Sequence, residues 1–328
     1  MSSVTVNTVT GPLPVDQLGV TLMHEHLLIG YPGWEAHTTV PRLSRQEMLA
    51  ICVDKVQEMQ ALGVQSMLDP CPNDLGRDVQ LAAEVAARTG FNIVCATGLY
   101  KEDEGGKAYW HFQHAAGQAV SLMAELFVHE LTVGIGDTGI RAGVIKVATG
   151  VGRITDYEYD VLAAAAIASV ETGAPITTHT DQGTMGAEQQ AFLVARGVAP
   201  ERIVIGHSCG TDDLDYHLQI LNGGSYLGFD RFGLDVLVPD EQRISALCAL
   251  LGRQQERGIV VSHDSVWCFR GQPFPQALLE SAPPDVLFSP THFHRNIIPR
   301  LLASGVTRGQ IDTLLIDNPR RFFAGEPR

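Results

Sequence analysis

The 328-residue chain predicts an α/β protein in which eight parallel strands close into one (β/α)8 barrel with helices outside. Two observations carry that expectation. Eight short apolar runs alternate with segments of helical periodicity, and residues of catalytic type stand at the ends of several of those runs. Strands separated by helices are the pattern of a covered parallel sheet, and closure removes the unpaired edges that an open sheet exposes. A chain of this length suffices for such a barrel, and a doubly wound open sheet is the alternative.

The first strand is "GVTLM" at 19–23. Residues 45–61 then place apolar side chains at three- and four-residue intervals, which predicts a helix that Gly63 closes. "VQSMLD" at 64–69 is the second strand, followed by a helix over 77–88 and a third strand, "FNIVCATG", at 91–98. Residues 101–114, polar and then aromatic, read as a long connection to a helix through "AVSLMAELFVHEL". "AGVIKVA" at 142–148 is the fourth strand. Helices over 156–172, 184–196, 212–221 and 241–254 then alternate with strands at 175–178, 203–206, 225–229 and 258–262, and helical segments at 294–303 and 308–316 follow. One match points elsewhere: "GIGDTG" carries Gly134, Gly136 and Gly139 at dinucleotide-binding spacing. It follows a helix and precedes a strand, the reverse of the order that motif needs, so it reads as a turn.

Composition narrows the partners. A hydrophobic share of 45% supplies a core, and a formal charge of −14 disfavours a general grip on nucleic-acid phosphates. The first residues, "MSSVTVNTVTGPLP", have neither a basic start nor a continuous apolar block, and "VLAAAAIASV" at 161–170 is too short to span a bilayer. The expectation is a cytoplasmic protein with no nucleic-acid or membrane partner. Its six cysteines, at 52, 71, 95, 209, 248 and 268, show no close pairing and read as reduced thiols, with Cys209 a packed small residue.

The chemistry gathers at strand ends. In "TLMHEH", His24 and His26 share a face if the backbone stays extended, while Glu25 points away. Alone, this spacing serves a metal clamp or two structural imidazoles. Lys146 ends "GVIK" where a core side chain is expected; it either snorkels to an acidic partner or, as a neutral amine, combines with carbon dioxide to give an anionic carbamate. His179 in "PITTHT", His207 in "IVIGHS" and Asp264 in "IVVSHDS" each lie just beyond an apolar strand. A parallel barrel brings such ends to one face, so these six residues can hold two divalent ions. His24, His26 and Asp264 are assigned to the more buried ion, His179 and His207 to the more exposed one, and a carboxylated Lys146 to the bridge. A water shared by the ions would become the nucleophile, and Asp264 would take its proton. His263 should face the wall, and Asp69 reads as a salt bridge or loop cap.

In family order, "HEH", "GVIKVA", "ITTHT", "IVIGHS", "YLGFDRFGLD" and "VVSHDS" resemble the phosphotriesterase family of the amidohydrolase superfamily, especially its lactonase-like branch. The resemblance runs from "LGVTLMHEHLL" to "DNPRRFF" and implies one hydrolase domain over 1–328 with a distorted (β/α)8, or TIM, barrel. It also implies a binuclear centre on His24, His26, Lys146, His179, His207 and Asp264, with N6-carboxylated Lys146 and ions that are zinc, iron, cobalt or manganese, zinc being preferred. A homodimer is implied too. Tyr100 in "ATGLY" and Arg231 in "GFDRFG" match residues placed near the substrate, although rim packing and a salt bridge to Asp230 or Asp235 are the alternatives. Residues 265–293 read as a long substrate-facing loop that departs from simple lactonases. Within it Trp267, Phe269, Phe288 and Phe293 line an acyl pocket or pack the loop, and His292 stays outside the metal shell, as does His294 just beyond. The expected reaction is opening of N-acyl-homoserine lactones or related lactones by a metal-bridging hydroxide. Hydrolysis of a neutral phosphotriester is the alternative, and a noncatalytic metal-binding protein is a third reading.

Overall fold

A computed structural model describes residues 4–274 and 286–328. A hairpin of β1 (Thr5–Thr8) and β2 (Gly11–Pro14) comes first. Eight parallel strands then form one sheet: β3 (Thr21–Leu22), β5 (Ser66–Asp69), β6 (Asn92–Gly98), β7 (Val144–Lys146), β8 (Ile176–Thr177), β9 (Ile203–Ile205), β10 (Tyr226–Phe229) and β11 (Ile259–Val261). They lie side by side in chain order, as successive strand-helix units require. The sheet curls until its edges meet, where the Met23 amide donates to the Val261 carbonyl at 3.4 Å and the Asp264 amide to the His24 carbonyl at 3.0 Å. The result is a nearly closed, distorted TIM barrel surrounded by helices, as the strand runs predict.

The helices form where the sequence starts and stops them. Ser44 with Glu47 and Thr155 with Glu158 make reciprocal caps at the starts of Arg45–Gln60 and Asp156–Thr172, and Gly173 ends the latter at φ 75°. Arg77 grips Glu130 with two 2.8 Å bonds, joining the outer layer to β6 through a further bond to the Ala96 carbonyl. The residues 134–139 do form a turn between helix Ala119–Thr132 and β7, with the Ile135 amide bonded to the Ile140 carbonyl.

Three elements differ from expectation. Lys107–Ala115, read as connection, is a helix; Tyr109 and Phe112 on it are exposed, so it lacks the buried stripe that marks a helix in sequence. Asn318–Ala324 adds a final helix whose Phe322 and Phe323 plug the barrel floor. The stretch 265–293 is not loop throughout, because Ser265–Phe269 (β12) pairs in parallel with Glu25–Ile29 (β4) above the barrel rim. Residues 275–285 of that stretch lie outside the described residues. No helix among the described residues is long and apolar enough to cross a membrane, and the cysteines, Cys209 included, are free thiols.

Period two along each strand divides the barrel interior into layers. Leu68, Val94, Val144, Val204, Tyr226 and Val260 fill the floor. Two or four residues further along, the same faces carry Lys146 and Asp230. Small residues make the space between: a Cβ on Gly228 would stand 2.4 Å from Asp230 Oδ2, and one on Gly98, at φ 128°, 1.8 Å from the Lys146 carbonyl. Glycine is what lets the polar layer descend into the barrel.

Candidate metal centre

Lys146 is the last residue of β7, and His179, His207 and Asp264 follow β8, β9 and β11 by two or three residues. His207 and Asp264 adopt φ 57° and 54°. Left-handed backbone at a non-glycine residue costs about 1–2 kcal/mol and persists only where its surroundings enforce it. Here the His207 amide donates to Asp230 Oδ1 at 2.9 Å, and the Asp264 amide to the His24 carbonyl. The turn aims each side chain inward.

The six strand-end residues meet. Asp264 Oδ1 lies 3.4 Å from His24 Nε2 and 3.3 Å from His26 Nε2, and Oδ2 lies 3.7 Å from His207 Nε2. Lys146 Nζ is 3.2 Å from His24 Nε2, and the His179 and His207 ring centres are 4.6 Å apart. All four histidines and Lys146 are buried. Exposure does not separate the two expected groups, since His179 and His207 are covered as fully as His24 and His26.

Burial and charge set the protonation. Burial, then the Lys146 charge, pushes His24 down to about 3. Burial also lowers Lys146 to about 8, against the pull of Asp264 and Asp230. For Asp264, burial favours the neutral acid, but His207, Arg231 and His24 outweigh it and hold the carboxyl well below its usual range. His26 moves the other way: burial opposes its charge, yet Asp264 and Asp69 raise it well above an ordinary imidazole.

Each imidazole is held by one nitrogen and presents the other. Asp230 accepts from His24 Nδ1 at 3.2 Å and from His207 Nδ1 at 2.9 Å, Asp69 holds His26 Nδ1 at 3.2 Å, and Asp181 holds His179 Nε2 at 2.8 Å. Carboxylates that fix ring orientation and raise basicity in this way are the usual support of metal-binding histidines. The freed nitrogens and Asp264 form the donor set, and His24, His26 and Asp264 offer atoms within 4.8 Å of one another. Imidazole and carboxylate in this arrangement fit a first-row divalent ion. His26, Asp69 and Cys71 form another such group, and His24, His207 and Asp230 a third. Sequence reading assigned no role to Asp181 and gave Asp230 only a possible pairing with Arg231. The available signal was position, because Asp181 lies two residues beyond His179 and Asp230 directly follows β10 at the same end of the barrel.

Tyr100 and Arg231 reach the cluster as well. Tyr100 Oη lies 3.2 Å from His179 Nδ1, and Arg231 Nε donates to Asp264 Oδ2 at 2.9 Å. Arg231 thus pairs with Asp264, not with the alternative partners Asp230 and Asp235. These residues open into a cavity of about 590 Å3. Its outer wall is apolar, including Leu75, Leu234, Val266, Phe269 and Phe288. Of the four aromatics expected there, Phe269 and Phe288 line it; Trp267 instead donates to the Ser265 hydroxyl, and Phe293 packs on Phe232. His263 faces the wall, His292 is held by Asp240 at 2.6 Å, and neither they nor His294 line the cavity.

Residues 4–323 match the Phosphotriesterase family. The chain belongs to that family. It is similar to a phosphotriesterase homology protein of Mycobacterium tuberculosis, with 37% identity over 321 residues and 97% of each chain covered. Its fold matches an organophosphorus hydrolase from Deinococcus radiodurans at TM-score 0.93 and 41% identity, over 98% of this chain and 97% of that one. A multiple mutant from the same organism, described as a PTE-like lactonase, matches at TM-score 0.93 and 40% identity, over 97% of this chain and 100% of that one. The family member described here is accordingly a metal-dependent hydrolase of the amidohydrolase superfamily, related to organophosphate-hydrolysing and lactonase proteins alike.

Proposed function

We propose that this hydrolase acts on uncharged esters with apolar substituents, with neutral organophosphate triesters as the first assignment. One observation carries the charge and polarity of the substrate. Apart from Asp235, the charged residues lining the cavity belong to the cluster or touch it, and the wall above them is apolar. The choice of phosphorus follows the organophosphorus hydrolase of similar fold. This reverses the preference drawn from sequence. Lactone opening is the second reading, favoured by Tyr100 beside His179 and by the similar lactonase.

His24, His26, Lys146, His179, His207 and Asp264 would hold two divalent ions, zinc first among them. When bound, such ions supply a water that loses its proton near neutral pH and Lewis acidity toward the P=O or C=O oxygen. Asp264 receives that proton on its carboxylate, while Arg231 Nε holds Oδ2 and keeps the group oriented. Tyr100 donates its hydroxyl hydrogen toward the substrate oxygen on the His179 side. Lys146 is the group to be N6-carboxylated: among the described residues no carboxylate lies within ion-pair distance of its buried ammonium, and a neutral amine adds to carbon dioxide with loss of one proton. The product is an anion where an uncompensated cation would be costly. Residues 1–328 work as one hydrolase unit, and a homodimer belongs to the same proposal.

Parallel assays on a neutral phosphotriester and a series of acyl lactones test the reading. Phosphotriester kcat/KM at least tenfold higher, about 1.4 kcal/mol of transition-state discrimination, is expected. A tenfold excess for lactones transfers the assignment to the second reading, and inertness toward both classes in the metal-loaded protein rejects the proposal.

A further inference from the structure

Glu25 separates two cluster histidines in sequence but stands apart from them in space. It lies on the opposite face of its extended segment and is wholly buried. There its carboxylate accepts from the Ser262 hydroxyl at 2.7 Å, the His263 amide at 2.9 Å, His263 Nδ1 at 2.5 Å, the Ser265 amide at 3.3 Å and the Ser265 hydroxyl. Two of these five donors are the backbone amides on either side of Asp264. They grip the turn in which Asp264 adopts φ 54°.

The contacts close into a loop. Ser262 donates to Glu25 and accepts from the His24 amide at 2.9 Å, while the His24 carbonyl accepts from the Asp264 amide at 3.0 Å. His263 donates through Nδ1, and its Nε2 accepts from the Phe293 amide at 2.8 Å, which fixes the ring's tautomer. Trp267 Nε1 donates to the Ser265 hydroxyl at 2.9 Å, so that hydroxyl has its own hydrogen to give Glu25. Ser265 also pairs with Glu25, and Val266 with His26, across β12 and β4. These two strands lie outside the barrel sheet, so the barrel's own ladder does not set the spacing of His26 from Asp264.

We propose that Glu25 is a positioning residue: its buried carboxylate locks the backbone at 263–265 against the segment at 24–26 and so sets the spacing at which His24, His26 and Asp264 share an ion. The inference rests on the ligand assignment proposed above. A carboxylate is required because every partner offers a hydrogen. Glutamine has the same shape but turns an NH2 group toward one set of those donors.

The test uses wild-type protein, Glu25→Gln, Ser265→Ala and His26→Asn, each stripped of metal. Thermal unfolding of the apo proteins, zinc affinity by chelator competition, and the visible spectrum with cobalt(II) are recorded. After zinc loading, kcat and KM are measured on the better of the two substrate classes. Glu25→Gln is expected to bind zinc about tenfold or more weakly at one of two sites, to shift the cobalt bands, and to lose about 10–100-fold in kcat with little change in KM. Its apo melting temperature should fall, because the NH2 group meets buried donors, so the role is read from zinc affinity and the cobalt bands in folded protein; Ser265→Ala should show smaller changes in the same direction. If Glu25→Gln does not fold, Ser265→Ala decides by the same readings. Wild-type zinc affinity and cobalt spectrum in the folded Glu25 and Ser265 variants, with both altered in His26→Asn, would overturn the positioning role and leave the ligands standing. Wild-type values in His26→Asn as well would bring down the ligand assignment and this inference with it.

Discussion

The two ends of the barrel are built from the same strands and obey opposite rules. At the floor, Val144, Val204, Tyr226 and Val260 pack with Phe322 into a sealed apolar plug. At the rim the same strands lead to Lys146, His207, Asp230 and Asp264, with two residues in left-handed backbone and a lysine ammonium without a carboxylate partner among the described residues. Burial stabilises the floor outright. At the rim burial is a cost, met by the network that Asp230, Asp69 and Asp181 build around the imidazoles. The difference teaches that stability and reactivity are separated along each strand, so substitutions at one end should leave the other property nearly untouched.

Removing metal should break the comparison most completely. Dialysis against a chelator is expected to abolish hydrolysis while far-UV circular dichroism stays native-like, and zinc should restore turnover; full activity in metal-free protein would contradict the account. Asp264→Asn should lower kcat about a thousandfold, roughly 4 kcal/mol in the barrier, with the apo fold preserved. Unchanged turnover removes its proton role. At the floor, Phe322→Ala should cost about 3–4 kcal/mol of unfolding free energy, read by denaturant titration, with KM unchanged at permissive temperature. A shift in KM there would show that the two ends are coupled.

How much of this was legible in sequence depends on what each residue had to do. Strands such as "IVI" at 203–205 and "IVV" at 259–261 are buried on both faces, so they read as unbroken apolar runs. The six strand-end residues stood out because a lysine, histidine or aspartate interrupts or closely follows such a run. Asp230 and Asp181 did not, since one carboxylate at a strand end has many ordinary uses and only the fold reveals which ring it holds. The pairing of Glu25–Ile29 with Ser265–Phe269 was hidden for another reason: parallel partners 240 residues apart share no local signal. Lys107–Ala115 was missed because Tyr109 and Phe112 face outward and leave no apolar stripe at helical spacing.

Two smaller effects sharpen the contrast. Outside the cavity, burial and then the neighbouring His263 push His294 down to about 4. The folded state therefore binds this proton less readily than the unfolded chain. Its stability is whole above the unfolded value near 6.5 and is lost as pH falls toward 4. About 2 kcal/mol of pH-dependent loss should disappear in His294→Leu, measured as the difference in unfolding free energy between pH 7.5 and 4.5. An identical pH slope in the variant contradicts that assignment. Tyr100→Phe should reduce kcat/KM by about tenfold, or 1.4 kcal/mol, without altering apo stability. If activity holds, the tyrosine only packs the rim.

The central claim is that distant strand tips assemble a two-ion centre. It is tested most directly by anomalous diffraction at the zinc edge on crystals of reconstituted, active enzyme. The account predicts two peaks, one contacted by His24, His26 and Asp264 and the other by His179 and His207, with a carboxylated Lys146 between them. A map of active protein with no paired peaks, or with peaks away from these six side chains, would contradict it.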